Sequence, residues 1–325
     1  DMMNILACAS DNYTMQCGIL FCSVCENNQD EKIDFYVFTD NKFREESKDK
    51  LRKTIGGYRQ KTIHFVCIND ADIDNVLQFE TPLYTRHVFY RLLMAELLPE
   101  SVHKVLYLDC DIVVRHSLLG LWNIELPDKA VAVVHDGQEG KMSQFNRLGY
   151  SYDKGYFNSG VMLANLEYWR KTNATKRLFN YIERNADKIN LPDQDPLNVV
   201  FQDEKTFIHF KYNLQSDFLL KTNYLLVDYS KYKTELRECV ENPVILHFSG
   251  ARPWIEGCVH PYKDEFFYYR SKTLWKNEPL WKDRKPFKVR LLSSNLLRKP
   301  LSKLGLCSVL EDRFNRKLKL VGYDI

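Results

Sequence analysis

Residues 105–111 read Val-Leu-Tyr-Leu-Asp-Cys-Asp, an apolar run that ends in two carboxylates separated by one residue. An apolar run of this length, from Lys104 to Asp109, predicts a buried β-strand. Open α/β sheets bind ligands beyond the carboxyl ends of their strands, and side chains two residues apart on a strand point the same way. We therefore expect Asp109 and Asp111 to face one ligand site together.

The two carboxylates favour a divalent metal ion. Hard cations such as Mn²⁺ and Mg²⁺ prefer oxygen ligands and commonly keep coordination positions open for phosphate oxygens. The pair is therefore suited to holding such an ion against a diphosphate, although Asp-x-Asp at a strand end also arises by chance. The same string is typical of haloacid-dehalogenase-type phosphatases, in which the first aspartate, here Asp109, would attack phosphorus. Against that alternative, a long α/β stretch precedes the strand, and no later Asp-Asp pair ends an obvious strand.

Strands and helices alternate on both sides of this stretch. Runs of β-branched and aromatic residues predict strands, and the apolar or amphipathic segments between them predict helices. Such alternation indicates an α/β fold with a mostly parallel sheet flanked by helices. The predicted strands are residues 4–9, 33–39, 62–68, 104–109, 130–134, 156–163 and 244–247. The predicted helices are residues 15–25, 43–55 and 88–98, with two more that start at 166 and 193.

The size and composition of the chain indicate a globular protein with a sizeable core. With 325 residues, 45% of them hydrophobic, we expect one α/β domain over residues 1–258 and a helical, basic C-terminal region over residues 259–325. The longest apolar stretch, Cys17 to Cys25, is too short to cross a bilayer. The nine cysteines include no second pair to match Cys22 and Cys25, which favours free, buried thiols in a reducing compartment over a metal knuckle.

The net charge of +3 is unevenly distributed. Between Lys282 and Lys319, twelve basic residues oppose three acidic ones, a local balance of +9 that leaves −6 for the rest of the chain. An acidic body with a basic, leucine-rich tail is typical of proteins that sit on anionic lipid, and a solvated basic helix end is the alternative. Nucleic acid is not an expected partner, because the body has no basic stripe with interleaved aromatic residues. A lipid contact would involve Lys285, Lys288, Arg290, Arg298 and Lys299.

A second cluster of polar residues follows the strand predicted at residues 244–247. His247 is followed three residues later by Gly250 and then by Arg252. Glycine permits close approach of a backbone, and arginine is a natural partner for phosphate. A metal ion, a glycine amide and a guanidinium are the groups that stabilise a departing diphosphate. A structural role is the alternative for the histidine.

These motifs together resemble a known family. From about Asn4 to Trp254 the chain is similar to the retaining glycosyltransferases of family 8, which are related to bacterial lipopolysaccharide galactosyl- and glucosyltransferases and to glycogenin. The resemblance rests on six motifs in one order: Asp11-Asn12-Tyr13 after the first strand; Phe89-Tyr90-Arg91-Leu92; Leu106-Tyr107-Leu108-Asp109-Cys110-Asp111; Phe157-Asn158-Ser159-Gly160-Val161 with Asn165-Leu166; Asp193-Gln194-Asp195; and His247-Phe248-Ser249-Gly250.

The resemblance implies a GT-A catalytic domain, a UDP-sugar donor and Mn²⁺ or Mg²⁺ as cofactor. It implies that the metal ligands are Asp109, Asp111 and His247. It implies that the uridine pocket of the donor is formed by Ala9, Asp11, Asn12 and Tyr13, with the tyrosine ring against the base. Arg91 and Asp109 would hold donor-sugar or phosphate groups, and Gly250 with Arg252 would contact the diphosphate. Cys110 would also belong to the donor-binding residues. The sugar and acceptor would contact Asp136, Asn158, Asp193 and Gln194, of which Gln194 would lie near the anomeric carbon. Turn or N-cap roles are the alternatives for Asn158 and Asp193, and a helix-surface ion pair is the alternative for Arg91.

Two positions depart from the family pattern. Ser10 stands where relatives carry an acidic residue that helps to read the base. The stretch from Gly250 to Pro253 is one residue shorter than usual and carries Arg252 in place of lysine, which keeps the positive charge but changes its geometry. The reading of the base and the contact with phosphate are therefore expected to differ from those of relatives.

The implied reaction transfers glucose or galactose, with retention, from UDP-glucose or UDP-galactose to a saccharide or glycolipid acceptor. A role in lipopolysaccharide or surface-polysaccharide synthesis would place the protein in the cytoplasm, with peripheral contact at the inner face of the membrane. The alternative from a different class is a nucleotide-sugar-binding protein without turnover. Such a protein would hold UDP and Mn²⁺ yet never cleave a UDP-sugar.

Overall fold

The computed structural model describes residues 2–69, 86–137, 142–219, 229–258 and 260–282. The strands in these ranges are β1 (Met3–Cys8), β2 (Ile33–Thr39), β3 (Lys61–Cys67), β4 (Lys104–Leu108), β5 (Ile112–Val114), β6 (Val131–His135), β7 (Phe157–Asn165), β8 (Lys205–Phe207), β9 (Leu214–Gln215) and β10 (Ile245–His247). Seven of them form a central sheet with the order β3-β2-β1-β4-β7-β6-β8, and three form a small sheet with the order β5-β10-β9. The central sheet is mostly parallel, because only β7 runs antiparallel to its two neighbours.

Helices flank the central sheet. Those in the described ranges are α1 (Thr14–Asn27), α2 (Glu45–Ile55), α3 (Met94–Leu97), α4 (Leu119–Trp122), α5 (Met142–Leu148), α6 (Leu166–Lys171), α7 (Ala174–Arg184), α8 (Gln194–Val200), α9 (Tyr229–Glu241) and α10 (Lys263–Ser271). Alternate residues of a strand enter opposite layers. Ile5 and Leu106 pack with α1 and α2 in one core, and Leu6 and Tyr107 pack with α3, α6 and α7 in the other. The expected α/β architecture is confirmed.

The strand order places a ligand crevice between β1 and β4. The chain runs from β1 outward to β2 and β3 and then returns to the other side of β1, where β4 pairs with it through Ile5 opposite Leu106. An open α/β sheet binds ligands at such a reversal, beyond the carboxyl ends of the two strands. Asp11 follows β1 and Asp109 follows β4, so the fold brings both to the same edge of the sheet.

The helix predicted at residues 88–98 differs in the structure. Residues Arg86–Leu93 form a 3₁₀ helix, and only Met94–Leu97 are α-helical. In a 3₁₀ helix, side chains three residues apart eclipse one another, so Val88 and Arg91 share a face, and both line the cleft described below. Periodicity over so short a segment does not separate the two helix types.

The described part of the C-terminal region packs against α1. Asn27 donates to the Tyr269 hydroxyl at 2.7 Å, and a Cβ placed on Gly18 would lie 2.2 Å from the ring of Trp275. The five basic residues expected to contact lipid lie beyond residue 282, outside the described residues. The domain boundary after residue 258 stays a prediction. Within the described ranges, no helix has the length and apolar character needed to cross a membrane.

Candidate functional site

His247 reaches the Asp-Cys-Asp motif through the small sheet. β10 runs antiparallel to β5, which directly follows the motif, and the N–H of Phe248 donates to the carbonyl of Asp111 at 2.9 Å. In this register His247 Nε2 lies 3.2 Å from Asp111 Oδ1 and 3.9 Å from Asp109 Oδ2. One ligand atom from each of the three residues lies within 4.8 Å of the others. Two carboxylates and an imidazole at this separation can hold a divalent cation.

Gly160 makes room for these three side chains. It lies on β7 beside the motif, and its carbonyl accepts a hydrogen bond from the N–H of Asp109 at 2.9 Å. A Cβ at this position would lie 2.4 Å from His247 Cε1 and 2.7 Å from Asp109 Oδ2. Any side chain here would therefore displace two of the candidate metal ligands.

The two oxygens of Asp109 have different surroundings. Oδ1 accepts a hydrogen bond from the Tyr107 hydroxyl at 2.6 Å and forms an ion pair with Arg91 Nη2 at 2.9 Å. Oδ2 faces His247. Because protein donors occupy Oδ1, Oδ2 is the oxygen available to a metal ion. Tyr107 lies two residues before Asp109 on the same side of β4, so strand alternation could have indicated this contact.

Arg91 is a largely buried cation between two acidic residues. Its side chain is 11% exposed, and Nη1 lies 3.0 Å from Asp193 Oδ2 while Nη2 holds Asp109. The guanidinium also sits 4.5 Å from the centroid of the Tyr107 ring. Burial alone would lower the pKa of Arg91, but the two carboxylates outweigh it and hold that pKa well above its usual value. Arg91 therefore forms ion pairs, but in the interior and not on a helix surface.

The residues expected on the sugar side form one buried network. Asn158 Nδ2 and Gln194 Nε2 both donate to Asp136 Oδ2, at 3.1 and 3.0 Å. Gln194 Oε1 accepts from the N–H of Ser159 at 3.0 Å, and the Ser159 hydroxyl donates to Asp193 Oδ2 at 2.9 Å. Asp193 occupies the N-cap position of α8 but makes no side-chain capping bond. The structure thus brings all four predicted sugar-side residues together.

The charges around His247 shift two pKa values. Burial opposes the charged form of His247, but Asp111 and then Asp109 outweigh it, so the pKa of His247 is raised. Burial likewise opposes the charged form of Asp111, but His247 and Arg252 outweigh it, so the pKa of Asp111 is lowered. A carboxylate beside an imidazolium is therefore a more stable pair here than the two groups would be if they were buried apart.

A cleft of about 820 Å³ opens over Asp109, Asp111 and the end of β1. Most of the residues expected to contact the donor line it. Its lining residues are Cys8, Ser10, Asp11, Asn12, Tyr13, Asp40, Lys42, His87, Val88, Arg91, Asp109, Cys110, Asp111 and Arg252. We call the part formed by residues 10–13, 40, 42 and 252 the nucleotide side.

Asp11 has a structural role on the nucleotide side. Its carboxylate accepts hydrogen bonds from the N–H of Arg44 at 3.0 Å, from Arg44 Nε at 2.7 Å and from the Ser47 hydroxyl at 2.6 Å. These bonds tie the loop after β1 to the start of α2. Since three donors already occupy the carboxylate, we expect Asp11 to position the loop more than to read the base.

Tyr13 is held edge-on by two tryptophans. Its ring centroid lies 6.4 Å from that of Trp254 and 5.6 Å from that of Trp281, both in T-shaped geometry. The backbone N–H of Trp281 in turn donates to the backbone carbonyl of Trp254 at 2.7 Å. The segment after β10 therefore supports the residue expected to stack on the base.

The other predicted donor contacts differ in exposure. Ala9 is buried, and its N–H donates to the carbonyl of Phe38 at 3.0 Å. Cys110 lines the cleft, and its thiol donates to the carbonyl of Cys8 at 3.3 Å. Gly250 and Arg252 are exposed, and Arg252 lines the cleft. A Cβ on Gly250 would make an ordinary contact of 3.4 Å with Ser216, so sterics do not require glycine there.

Several residues of the site were not predicted from the sequence. Asn213 is fully buried and accepts from His247 Nδ1 at 3.0 Å, yet it precedes a strand of two residues and carries no periodic signal. Asp40 and His87 line the cleft, with Asp40 Oδ2 3.1 Å from His87 Nε2. Asp40 directly follows β2, and the end of a parallel strand is a signal that could have found it.

The fold agrees with the comparison to known families. The sequence profile of Glycosyl transferase family 8 matches residues 4–258, and the chain belongs to this family. Its mixed α/β architecture, with a mostly parallel sheet flanked by helices, is the GT-A fold.

Three similar proteins illustrate the relationship. The chain is 33% identical over 288 residues to General stress protein A of Bacillus subtilis (strain 168), covering 85% of this chain and 95% of that protein. It is 28% identical over 302 residues to the lipopolysaccharide glucosyltransferase WaaO of Escherichia coli (strain K12), covering 89% of this chain and 83% of that protein. The crystal structure of the galactosyltransferase LgtC with donor and acceptor sugar analogues has a TM-score of 0.70 at 23% identity, covering 89% of this chain and 99% of LgtC. The likeness to LgtC shows a shared fold.

Proposed function

We propose that the protein is a metal-dependent, retaining hexosyltransferase that carries glucose or galactose from a UDP-sugar to a saccharide acceptor. The observation that carries the proposal is the meeting of Asp109, Asp111 and His247 within 4.8 Å beside the cleft. Membership of a glycosyltransferase family supports the transfer of a sugar, and the three side chains support a metal ion that assists it.

The residues fit Mn²⁺ or Mg²⁺. The ion would be held by Asp109 Oδ2, Asp111 Oδ1 and His247 Nε2. Because Gly160 has no side chain, it leaves space for His247 and Asp109. When bound, the ion supplies positive charge to the phosphate oxygens of the leaving UDP. Arg252, exposed on the same cleft, would add a guanidinium to the diphosphate.

Transfer with retention in a single step requires attack from the face that the leaving group occupies, whereas two successive displacements would pass through a covalent intermediate. A bond forms between the acceptor oxygen and the anomeric carbon while the bond from that carbon to the UDP phosphate oxygen breaks. The electron pair leaves with UDP, and the proton of the acceptor hydroxyl passes to a phosphate oxygen. Gln194 Oε1 is held by the N–H of Ser159 at 3.0 Å, which favours this path over a covalent intermediate on Gln194.

The sugar side of the site would hold the hexose by hydrogen bonds. All four residues, Asp136, Asn158, Asp193 and Gln194, are buried. Asn158 and Gln194 bond Asp136 directly, and Asp193 joins them through Ser159, so their positions are fixed before the donor binds. Fixed polar groups aimed at a reacting centre cost little reorganisation during the reaction. Glucose and galactose stay open as donors, since WaaO is a glucosyltransferase and LgtC a galactosyltransferase by name.

A lipopolysaccharide or surface polysaccharide is the acceptor class that we propose, supported by the name of WaaO. The basic tail beyond residue 282 would hold the protein at an anionic, cytoplasmic membrane surface. Binding to vesicles with and without anionic lipid, before and after deletion of the residues beyond Asp283, tests this part. Equal binding of the full and shortened chains would contradict it.

The proposed activity is tested by release of UDP. UDP-glucose and UDP-galactose are each incubated with the protein, with Mn²⁺ and with EDTA, and the wild type is compared with Asp111→Ala. Asp153→Ala, at an exposed aspartate outside the cleft, is the matched control. We expect slow, Mn²⁺-dependent release from one sugar, lost in Asp111→Ala and kept in Asp153→Ala.

The other outcomes separate the alternatives. Binding of UDP and Mn²⁺ without release, with acceptor saccharides present, would favour a nucleotide-sugar-binding protein. Release of phosphate from simple phosphomonoesters would favour a phosphatase. Absence of both binding and release would contradict the proposal.

A further inference from the structure

A chain of buried side-chain amides runs from His247 to Asp136. His247 Nδ1 lies 3.0 Å from Asn213 Oδ1, and Asn213 Nδ2 lies 3.0 Å from Asn158 Oδ1. Asn158 Nδ2 then reaches Asp136 Oδ2 at 3.1 Å. All four side chains are buried, and Asn213 is fully so. Buried polar groups of this kind are costly unless each donor meets an acceptor.

Two groups with fixed roles set the direction of this chain. The N–H of Gly160 is only a donor, and it bonds Asn158 Oδ1 at 3.0 Å. The carboxylate of Asp136 is only an acceptor, so it takes the NH₂ of Asn158. Both constraints give Asn158 the same orientation, with its oxygen toward Asn213. Asn213 must therefore present its NH₂ to Asn158 and its oxygen to His247.

The orientation of Asn213 decides the form of the imidazole. An amide oxygen can only accept, so His247 Nδ1 must carry a proton to bond it. The neutral imidazole then has its lone pair on Nε2, the nitrogen 3.2 Å from Asp111 Oδ1. Without a fixed partner at Nδ1, the ring could also place its proton on Nε2 and lose the ability to bind metal there.

We propose that Asn213 is a positioning residue that holds His247 in the tautomer with a free lone pair on Nε2, directed at the metal ion. The proposal rests on the proposed function in taking His247 as a metal ligand. Metal-bound histidines are commonly oriented by an acceptor at the other ring nitrogen. Here that acceptor is an amide whose direction is in turn dictated by Gly160 and Asp136.

The same arrangement links the metal ligands to the sugar side. Gln194 repeats the pattern, because its oxygen takes the N–H of Ser159 and its NH₂ therefore points to Asp136 Oδ2. Asp136 Oδ2 thus accepts one amide N–H from Asn158, which leads to His247, and another from Gln194 on α8. A change at Asn213 acts on His247 directly and on Asp136 through Asn158.

Two variants of Asn213 separate hydrogen bonding from packing. Asn213→Leu introduces an apolar side chain of similar size and removes both hydrogen bonds. Asn213→Asp keeps an acceptor for His247 Nδ1 and removes the donor to Asn158. If Asn213 served only for packing, the buried charge of Asn213→Asp would be at least as harmful as the leucine of Asn213→Leu. Asn242→Leu is the matched control, since Asn242 Oδ1 bonds His116 Nε2 at 2.6 Å on the exposed surface.

The first measurement needs no metal. ¹⁵N chemical shifts of the histidine rings, recorded at alkaline pH on EDTA-treated protein, report which nitrogen carries the proton. We expect the Nδ1-protonated form for His247 in the wild type and in Asn213→Asp, and a mixture or the other form in Asn213→Leu. His247→Gln assigns the signal. An Nε2-protonated His247 in the wild type would overturn the proposal.

The second measurement is Mn²⁺ affinity by electron paramagnetic resonance. Loss of a group that orients a ligand typically weakens metal binding about 10–100-fold, and we expect this for Asn213→Leu. Asn213→Asp and Asn242→Leu should bind within about threefold of the wild type, and thermal melting shows that each variant is folded. Wild-type affinity in a folded Asn213→Leu, or equal losses in both Asn213 variants, would overturn the proposal. A wild type that binds no Mn²⁺ would contradict the proposed function and leave the tautomer test intact.

Discussion

The two halves of the candidate site are built differently. On the metal and sugar half, formed by His247, Asp109, Asp111 and the network around Asp136, the side chains are largely buried and bonded to one another. On the nucleotide side, Asn12 and Arg252 are exposed, and the loop after β1 is held from outside by α2. The metal and sugar half is part of the protein core, whereas the nucleotide side is a surface loop held in position by neighbouring elements.

The difference follows from what each half must do. Groups that stabilise developing charge act most strongly when they are fixed and shielded from water, which the buried half provides. Groups that recognise a base need only a platform and a few contacts, and loops supply these without strain on the core. A substitution in the buried half should therefore abolish function, whereas one on the nucleotide side should change affinity.

The same substitution at two glycines tests this difference most directly. Gly160→Ala would place a Cβ 2.4 Å from His247 Cε1 and 2.7 Å from Asp109 Oδ2, so both ligands must move. We expect Mn²⁺ affinity and the rate of UDP release to fall by at least about 100-fold, with a loss of about 1–3 kcal/mol in the free energy of unfolding from overpacking. Mn²⁺ titration, UDP release and urea unfolding measure the three effects.

Gly250→Ala, two residues before Arg252 of the nucleotide side, is the matched control. Its Cβ would meet Ser216 at 3.4 Å, an ordinary contact. We expect unchanged Mn²⁺ affinity and stability, and at most a few-fold rise in the KM for the UDP-sugar. Similar losses in both variants would mean that the two halves are equally rigid, contrary to the comparison.

The sequence predicted the buried half by local patterns and by resemblance. The apolar run of β4 and the period of two along a strand were sufficient to predict that Asp109 and Asp111 face one site. His247 lies more than a hundred residues later, and only the family resemblance connected it to them. The structure shows the physical link, which is the antiparallel pairing of β10 with β5.

The remaining features depend on packing between distant segments. The bond from Asn213 to His247 joins residues 34 apart, and its direction comes from Gly160 and Asp136. No local periodicity records such a chain. The contact of Asp11 with Arg44 likewise depends on where α2 begins relative to the loop after β1, which sequence patterns locate only within a few residues.

The buried half should also respond to pH through His247. Its folded pKa is raised above the unfolded value of about 6.5, so protonation stabilises the metal-free protein fully below that value. This contribution is lost as the pH rises through the folded pKa. Mn²⁺ needs the neutral ring, so its affinity should fall by up to about tenfold for each pH unit below the folded pKa.

Comparison with His247→Gln isolates this effect. Urea unfolding of the EDTA-treated proteins should show a decline in wild-type stability, as the pH rises above about 6.5, that the variant lacks. The Mn²⁺ affinity of the variant should be weaker and should lose this pH dependence. The same pH dependence of stability in both proteins would show that His247 is not the group that titrates.

The smallest effect is expected where the nucleotide side is supported by Asp11. Burial opposes the charge of Asp11, but hydrogen bonds from Ser47 and Arg44 outweigh it and lower the pKa of the carboxyl. Asp11→Asn would weaken these bonds at a partly exposed position. We expect a loss of about 1 kcal/mol in the free energy of unfolding and a few-fold rise in the KM for the UDP-sugar, with kcat nearly unchanged.

Asp49→Asn provides the control for this prediction, because it makes the same change within α2. Asp49 pairs with Arg52 at 2.6 Å, but both side chains are about half exposed, at 55% and 45%. An exposed pair contributes little, so the variant should match the wild type in stability and KM. If Asp11→Asn lowers kcat as strongly as it raises KM, the loop after β1 positions the reacting groups as well as the nucleotide. The nucleotide side would then belong with the buried half.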